Sequence, residues 1–259
     1  MFSYQTTYPR RRTARAQERA AGIEPASERW EAPGFTIKLR PRRGRSVSLV
    51  DAIILARHGE SELSVVGRTN GDPGTPCALT ETGREQARRL GRLLRADDLG
   101  LCVVSEFQRA QETADLALEG RDVPRLVLPE LNDIRFGDFE RRALTEYRAW
   151  AQAHGPEEAA PGGGDSRAET VRRYIQAYRT ILARPEERAL VVAHGLPIRY
   201  VLDAVEGRDP AAAVQHVPYA KPFPVNAADL SAAVERLAEW AAAPAWATSA
   251  GWSDPGERP

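Results

Sequence analysis

Short apolar runs alternate with amphipathic segments along the chain from residue 48 onward. The apolar runs predict buried strands, and they lie at 49–56, 101–104, 125–128 and 189–193. The segments between them have apolar residues at helical spacing, which predicts helices at 79–96, 105–120, 143–153, 168–183 and 197–206. Buried strands separated by helices indicate an α/β fold. We therefore expect a three-layer sandwich in which helices flank a largely parallel central sheet.

Residues typical of helix ends mark several of these segments. Thr80 or Thr82 can cap the first helix. Ser105 can cap the second, which Gly120 closes, and Pro197 stands in the first turn of the last. The predicted helices therefore begin directly after the predicted strands.

Three predicted strands are followed at once by chemically unusual residues. Arg57 and His58 follow the first strand, Arg109 follows the second, and His194 follows the last. In sheets of this kind the ligand crevice lies outside the carboxyl ends of the strands. Each residue alone has an ordinary structural explanation. Two histidines that each precede a glycine, together with two arginines at the ends of different strands, predict one shared site.

The residue types in this predicted site suit a phosphate group. Arg57 and Arg109 carry planar forks of donors that match phosphate oxygens, and helix N-termini add backbone N–H groups. A neutral imidazole is a nucleophile at cell pH, because its ordinary pKa is about 6.5. A glycine beside it lets a substrate approach the backbone. The pattern predicts an anion pocket in which a histidine accepts a phosphoryl group.

Seven motifs, in this order, resemble those of the histidine phosphatase superfamily in its phosphoglycerate-mutase-like branch. They extend over roughly residues 50–225 and read "RHGES", "GRTNGDP", "ALTETGREQARRLGRLL", "SEFQRAQETA", "LNDIRFGDFE", "GGGDS" and "AHGLPIRYVL". The resemblance implies a phosphoglycerate-mutase-like fold. It also implies that His58 forms a phosphohistidine, that Arg57 beside it binds the transferred group, and that Arg109 and His194 complete the phosphate pocket.

The same resemblance implies a carboxyl group that protonates the leaving oxygen and later activates water. In "LNDIRFGDFE" the corresponding position is Asp133, where the family more commonly has glutamate. Glu130, three residues earlier, is the alternative proton donor. Asp138 and Glu140 are interpreted as solvated turn residues.

The stretch after the nucleophile lines the entrance in this family. The resemblance therefore implies substrate contacts from Ser61, Arg68, Asn70, Gly71 and, beside the second histidine, Gly195. The alternative for the stretch after the nucleophile is that its residues only shape a turn.

Two further positions depart from the family pattern. Ser64 stands where asparagine is common, and Arg141 stands where a glycine is common. The first affects substrate contacts and the second affects the geometry of the turn. In the "GGGDS" segment, Asp165 and Ser166 either face the pocket on a mobile lid or cap the next helix.

Two histidines are set aside as structural. His154 is also followed by glycine, but no buried strand precedes it, so it marks a helix end. His216 lies in a strand-like stretch and is expected to be a structural residue.

The formal net charge of zero hides an uneven distribution. Residues 1–46 contain eleven Arg or Lys and four acids, a net charge of +7, which leaves −7 for the remainder. This segment has no apolar period, so it predicts a disordered tail, and a start-site artefact is the alternative. A nucleic-acid partner for such a tail is not expected.

Composition excludes several kinds of chemistry. Lys38 and Lys221 are the only lysines, so there is no P-loop signature and little basis for a Schiff base. Cys77 and Cys102 lack metal-ligand spacing. We expect no metal and no cofactor. Without a long apolar run or a signal peptide, the chain is expected to be cytoplasmic, with no membrane partner.

The sequence predicts three regions, at 1–46, 47–225 and 226–259. The first is the basic tail and the second is the histidine phosphatase domain. The third starts with an amphipathic helix that packs on the core or on another subunit and ends in residues that fray. Its apolar positions are Ala228, Leu230, Val234, Leu237 and Trp240.

The expected activity is hydrolysis of a small phosphorylated metabolite. We predict a metal-independent phosphoric monoester hydrolase, of the histidine acid phosphatase type, that acts through a phosphohistidine on His58. The segment between Asp133 and "GGGDS" is short and lysine-free, which favours a phosphatase over a phosphoglycerate mutase, whose entrance has extra segments. A mutase and a non-catalytic phosphoryl-binding module are the alternatives.

Overall fold

The computed structural model describes residues 50–247. The basic segment predicted at 1–46 and the final residues predicted to fray lie outside this range. The predicted domain boundaries, after residues 46 and 225, therefore stay predictions.

The described chain alternates strands and helices in the predicted order. The strands are β1 (Ala52–Arg57), β2 (Leu101–Val104), β3 (Arg125–Val127), β4 (Arg188–Ala193) and β5 (Pro222–Asn226). The α-helices are α1 (Glu62–Val65), α2 (Glu81–Leu93), α3 (Gln108–Ala117), α4 (Leu144–Ala153), α5 (Arg167–Leu182), α6 (Gly195–Val205) and α7 (Ala227–Ala242). Short 3-10 helices at Pro129–Leu131 and Gly137–Phe139 connect β3 to α4.

The five strands form one sheet in the order β3-β2-β4-β1-β5. Strands β1 to β4 pair in parallel, and β5 pairs antiparallel with β1. The central strand β4 is fully buried at five of its six residues. The predicted three-layer α/β fold with a largely parallel sheet is confirmed.

Alternate residues of β1 enter two separate cores, because successive side chains of a strand point to opposite faces. Ile53 and Leu55 pack with side chains from α4, α5, α6 and α7. Ile54 and Ala56 pack on the other face with side chains from α2 and α3. A strand that is buried on both faces reads as a continuous apolar run, which is why the sequence revealed it.

The register of β1 and β4 determines where the two site histidines lie. Arg57 pairs with Ala193, the last residue of β4. His58 and His194 therefore leave the sheet side by side, and their ring centroids are 5.4 Å apart.

The strand β5 coincides with the end of the strand-like stretch predicted around His216, "VQHVPYAKPFPV". Pro222 and Pro224 are tolerated because β5 lies at the edge of the sheet. The first part of that stretch is not a strand, because His216 lies in the loop that precedes β5.

The predicted C-terminal helix is α7, and it packs on the core against α5 and α6. Four of its predicted apolar positions are buried, and they are Leu230, Val234, Leu237 and Trp240. Ala228 is exposed, and Ala233 and Ala241 are buried instead.

Two of the predicted helix caps differ in outcome. Thr80 caps α2, and its hydroxyl oxygen accepts a hydrogen bond from the Gly83 N–H. Ser105 does not cap α3, which begins after Phe107. The Ser105 hydroxyl instead forms a hydrogen bond with His194 Nε2.

Candidate active site

His58 is held in one orientation and one tautomer directly after β1. Its Nδ1 lies 2.7 Å from the Gly59 carbonyl oxygen, so Nδ1 carries the proton and donates it. Its Nε2 accepts a hydrogen bond from Arg109 Nε at 3.2 Å. The ring is 3% exposed. Nε2 is therefore the nitrogen with the free electron pair, as a nucleophile requires.

The charges around His58 keep it neutral. Burial lowers the pKa of His58 well below its ordinary value, and the positive charges of Arg109 and Arg57 lower it further. The hydrogen bond to Gly59 only partly opposes these effects. The unprotonated imidazole is therefore favoured at neutral pH.

Arg109 connects most members of the site. Besides His58, its guanidinium contacts the Asn70 carbonyl oxygen at 3.0 Å and His194 Nδ1 at 3.2 Å. Asp133 Oδ2 lies 3.7 Å from Arg109 Nη2. Arg109 is the second residue of α3, so the helix N-terminus adds its positive end to the same place.

Arg57 is fixed by the loop that precedes β5. Its Nη1 donates to His216 Nε2 at 2.7 Å and to the Val217 carbonyl oxygen at 3.0 Å. Its guanidinium lies over the Tyr219 ring, 4.1 Å from the ring centroid. Burial and the charge of Arg57 lower the pKa of His216 to about 4, so His216 is an acceptor at neutral pH. The prediction that His216 is only structural is therefore incomplete, because it positions a site arginine.

Two buried polar atoms at the site have no hydrogen-bond partner among the described residues. They are Arg57 Nε and Asn70 Oδ1. Arg57 Nε lies close to Gly195, the first residue of α6. A phosphate oxygen at the N-terminus of α6 would supply the acceptor that Arg57 Nε lacks.

His194 is fully buried and is held at both ring nitrogens. Nδ1 accepts from Arg109, so Nε2 carries the proton and donates to the Ser105 hydroxyl at 2.8 Å. Burial lowers the pKa of His194 well below its ordinary value, and Arg109 and His58 lower it further. His194 is therefore neutral in this arrangement.

Asp133 is the carboxyl group that the structure brings to the site. Its Oδ2 lies 3.8 Å from His194 Nδ1 as well as near Arg109. Burial raises the pKa of Asp133, and Arg109 opposes this only in part. Glu130, the alternative, lies in the 3-10 helix Pro129–Leu131 and does not line the cavity.

Glu140 has a structural contact that was not expected of a solvated turn residue. Its carboxylate accepts hydrogen bonds from the Gly71 N–H at 3.0 Å and from the Phe136 N–H at 3.0 Å. It thereby joins the entrance loop to the segment that follows Asp133.

The glycine after the nucleophile has a different use from the predicted one. A Cβ on Gly59 would lie 2.5 Å from the Gly83 carbonyl oxygen, and a Cβ on Gly83 would lie 2.0 Å from the Glu60 carbonyl oxygen. These glycines let the His58 loop pack against the first turn of α2. Gly195, in contrast, lines the cavity.

The site opens into a cavity of about 330 Å³, a size that suits a small molecule. Predicted residues that line it are Arg57, His58, Ser61, Arg68, Asn70, Arg109, Asp133 and Gly195. Gly71 is not among the lining residues. A Cβ on Gly71 would lie 2.1 Å from the Ile134 carbonyl oxygen, so this glycine allows close packing.

The "GGGDS" segment caps a helix, which was one of its two interpretations. The Ser166 hydroxyl accepts from the Glu169 N–H at the start of α5. Asp165 pairs with Arg135 and Arg173 and does not line the cavity.

The other predicted features have clear locations. His154 ends α4 and its Nδ1 contacts the Trp150 carbonyl oxygen, as a structural role requires. The Ser64 hydroxyl contacts the backbone N–H and the hydroxyl of Ser61, so it shapes α1. Arg141 has φ +60°, the left-handed conformation that explains why glycine is common there.

Sequence reasoning missed several cavity residues that come from other parts of the chain. They are Phe136, Leu144, Tyr147, Arg148, Arg167, Leu196, Val214, Gln215, Val217 and Tyr219. For Val214, Gln215, Val217 and Tyr219, the only hint in the sequence was that His216 and Tyr219 lie close together just before a proline-containing segment.

Within residues 50–247, no helix is long and apolar enough to cross a membrane. The same residues contain no group of three or more His, Cys, Asp or Glu side chains that could hold a metal ion.

The family model that describes the histidine phosphatase superfamily, branch 1, matches residues 53–241 of this chain. The chain belongs to the histidine phosphatase superfamily. The predicted family, and with it the predicted phosphoryl-transfer class of function, is confirmed.

Its relatives in the superfamily include phosphatases and mutases. An adenosylcobalamin/α-ribazole phosphatase of Salmonella typhimurium is 40% identical over 149 residues, which cover 54% of this chain and 72% of the relative. A 2,3-bisphosphoglycerate-dependent phosphoglycerate mutase of Methylobacterium sp. strain 4-46 is 34% identical over 174 residues, which cover 60% of this chain and 80% of the relative. The α-ribazole phosphatase of Shigella flexneri has a crystal structure that matches with a TM-score of 0.57 and 28% identity, over 67% of this chain and 89% of that chain.

Proposed function

We propose that this protein is a metal-independent phosphomonoester hydrolase in which His58 Nε2 accepts the phosphoryl group. The observation that carries the proposal is the state of His58. Its proton is fixed on Nδ1, its pKa is lowered, and its Nε2 faces Arg109 beside a second arginine.

In the first step the bond from phosphorus to the ester oxygen breaks as a bond to His58 Nε2 forms. Arg57, Arg109 and the N-terminus of α6 stabilise the charge on the equatorial oxygens. Burial raises the pKa of Asp133, which favours its protonated form, and Asp133 gives its proton to the leaving oxygen. The alcohol then leaves.

In the second step water attacks the phosphohistidine. The Asp133 carboxylate takes a proton from the water, the bond between phosphorus and Nε2 breaks, and inorganic phosphate leaves. His194 is buried and its Nδ1 accepts a hydrogen bond from Arg109, so it holds that guanidinium in place for the phosphoryl oxygens.

Three further features belong to the proposal. The pKa shifts favour activity in mildly acidic solution, in keeping with a histidine acid phosphatase type, because the lowered pKa of His58 favours its neutral form and the raised pKa of Asp133 favours its protonated form. The substrate is a small phosphorylated metabolite that fits the cavity. The cytoplasmic location stays a prediction.

Hydrolysis is favoured over mutase transfer by the segment between Asp133 and Asp165, which is short and lysine-free. The phosphatase from Salmonella typhimurium also has a higher identity than the mutase from Methylobacterium.

The test is phosphate release by the purified protein in EDTA across a panel of phosphomonoesters, with isomerisation of 3-phosphoglycerate followed in parallel. His58→Ala should abolish release and remain folded. His154→Ala is the matched control, because that histidine lies outside the cavity, and it should release phosphate at the wild-type rate. Full release by His58→Ala would overturn the mechanism. Isomerisation without release would identify a mutase, and no turnover on any ester would identify a binding module.

A further inference from the structure

The cavity contains more positive charge than one transferred phosphate group needs. Its described lining includes a single carboxylate, Asp133, and five arginines, Arg57, Arg68, Arg109, Arg148 and Arg167. Arg57 and Arg109 belong to the phosphate site around His58. The other three come from the entrance loop and from helices α4 and α5.

Arg167 is the most deeply buried of these three additional arginines. It is the first residue of α5 and is 4% exposed. Its Nε donates to the Tyr147 hydroxyl at 2.9 Å, and its Nη1 donates to the Tyr200 hydroxyl at 2.8 Å.

Arg167 has no carboxylate partner within 4 Å among the residues that the structure describes. Burial raises the pKa of Tyr147 and of Tyr200, so both hydroxyls stay protonated and neutral. Burial also works to lower the pKa of Arg167, but the tyrosine oxygens raise it by more, so the guanidinium stays charged. A buried cation without a counter-ion is costly, and an anionic ligand removes that cost.

The surroundings of Arg167 can accept such a ligand. The Tyr147 hydroxyl oxygen accepts from Arg167, so the hydroxyl proton points away from the guanidinium. Tyr147 and Arg167 both line the cavity, together with the apolar side chains of Phe136, Leu144 and Leu196. An anion bound here would receive a guanidinium donor and a hydroxyl donor in a poorly hydrated setting.

We propose that Arg167 and the Tyr147 hydroxyl form a second anion subsite, which binds a carboxylate or a second phosphate group of the substrate. The preferred substrates are then phosphomonoesters that carry another anionic group. This inference rests on the proposed phosphatase function, because it assigns the substrate class of the same cavity.

The alternative is that Arg167 only ties together α4, α5 and α6, which carry Tyr147, Arg167 and Tyr200. A tie of that kind requires donors but no charge. It predicts equal effects of an Arg167 substitution on all substrates, whereas the subsite predicts an effect confined to substrates with a second anion.

The test uses two pairs of substrates that differ in the second group. One pair is sn-glycerol 3-phosphate and 3-phosphoglycerate, which differ by a carboxylate, and the other is fructose 6-phosphate and fructose 1,6-bisphosphate. The wild-type enzyme should have a higher kcat/KM for the anionic member of at least one pair, and the pair identifies the anion. Arg167→Met should lower that kcat/KM about tenfold or more, since charge-assisted hydrogen bonds are lost. The neutral member should change less than about threefold.

Matched variants separate the subsite from general damage. Arg179→Met removes an exposed arginine of the same helix, which pairs with Glu235, and should leave both members of each pair unchanged. Tyr147→Phe keeps Arg167 and removes only the hydroxyl, so it should also reduce the preference for the anionic member. Tyr147→Phe decides the matter if Arg167→Met does not fold.

The outcomes distinguish the subsite from the phosphatase proposal. A wild-type enzyme that treats both members of each pair alike, or folded variants that lower both alike, would overturn the subsite and leave the phosphatase intact. If the wild type hydrolyses none of these esters, calorimetry of the same compounds on His58→Ala, with and without Arg167→Met, decides the subsite alone. The subsite is supported if His58→Ala binds the anionic member more tightly than the neutral member and Arg167→Met removes this difference. It is overturned if both members bind equally well.

Discussion

At the scale of single residues, the arginines proposed to bind phosphate also lower the pKa of the proposed nucleophile, His58. Arg57 and Arg109 lower the pKa of His58 while burial lowers it further, so the same charges that attract a dianion keep the imidazole neutral. Asp133 responds in the opposite direction, because burial disfavours its anion. The two opposite shifts favour an unprotonated imidazole and a protonated carboxyl group at the same pH, as the first step of phosphoryl transfer requires.

Asp133→Asn tests the acid at this scale. The variant should lose about 10²–10⁴-fold in kcat/KM on alkyl phosphates, whose leaving oxygen needs a proton. The loss on p-nitrophenyl phosphate should be far smaller, because p-nitrophenolate leaves without one. With the wild type, kcat/KM on alkyl phosphates should fall as the pH rises through the raised pKa of Asp133, and this fall should be absent in the variant.

Glu130→Gln is the control for this prediction, because Glu130 lies outside the cavity. It should keep the wild-type pH profile on both kinds of ester. Equal losses of Asp133→Asn on both esters, or a large loss in Glu130→Gln, would move the proton donor away from Asp133.

At the scale of elements, two features of the sheet assemble the site: the register between β1 and β4, and the antiparallel pairing of β5 with β1. The pairing of Arg57 with Ala193 places the two histidines side by side. The antiparallel strand β5 begins next to the end of β1, so the loop before it carries His216 and Tyr219 onto Arg57. The helices α3 and α6 begin at the same edge of the sheet and add their positive ends.

The packing of α2 against the His58 loop predicts a stability effect that is coupled to activity. Gly83→Ala would place a Cβ 2.0 Å from the Glu60 carbonyl oxygen, two residues from the nucleophile. The variant should lose about 1–3 kcal/mol of unfolding free energy and should also lower kcat. Urea unfolding and steady-state rates measure the two effects.

Gly91→Ala is the matched control on the same helix. Its Cβ would meet the Ala117 carbonyl oxygen at 2.4 Å, in the contact between α2 and α3. It should lose similar stability and retain kcat per folded molecule. An unchanged kcat in Gly83→Ala would mean that the loop tolerates the added methyl group.

At the scale of the whole molecule, the sequence predicted the sheet and the phosphate pocket because both depend on local patterns. Strands buried on both faces read as apolar runs, and the residues after them are placed by the parallel topology. The edge strand β5 was predicted only as the end of a longer strand-like stretch, because its two prolines do not mark where the strand begins. Arg167 and Tyr147 were missed because they approach the cavity from different helices, and helical periodicity gives no sign of which polar residue turns inward. Gly59 was predicted to be near the substrate but packs on α2, since one sequence does not show which neighbour a glycine approaches.

The membership of the superfamily and the geometry of the site converge on one covalent intermediate, a phosphoryl group on His58. Its most direct test is rapid mixing of the enzyme with p-nitrophenyl phosphate, an alkaline quench, and mass spectrometry of the digested protein. Asp133→Asn should accumulate the intermediate, because water then lacks its base. The account predicts one added phosphoryl group on the peptide that contains His58, formed as fast as the burst of p-nitrophenolate. A burst without a phosphorylated His58, or a phosphoryl group on another residue, would contradict it.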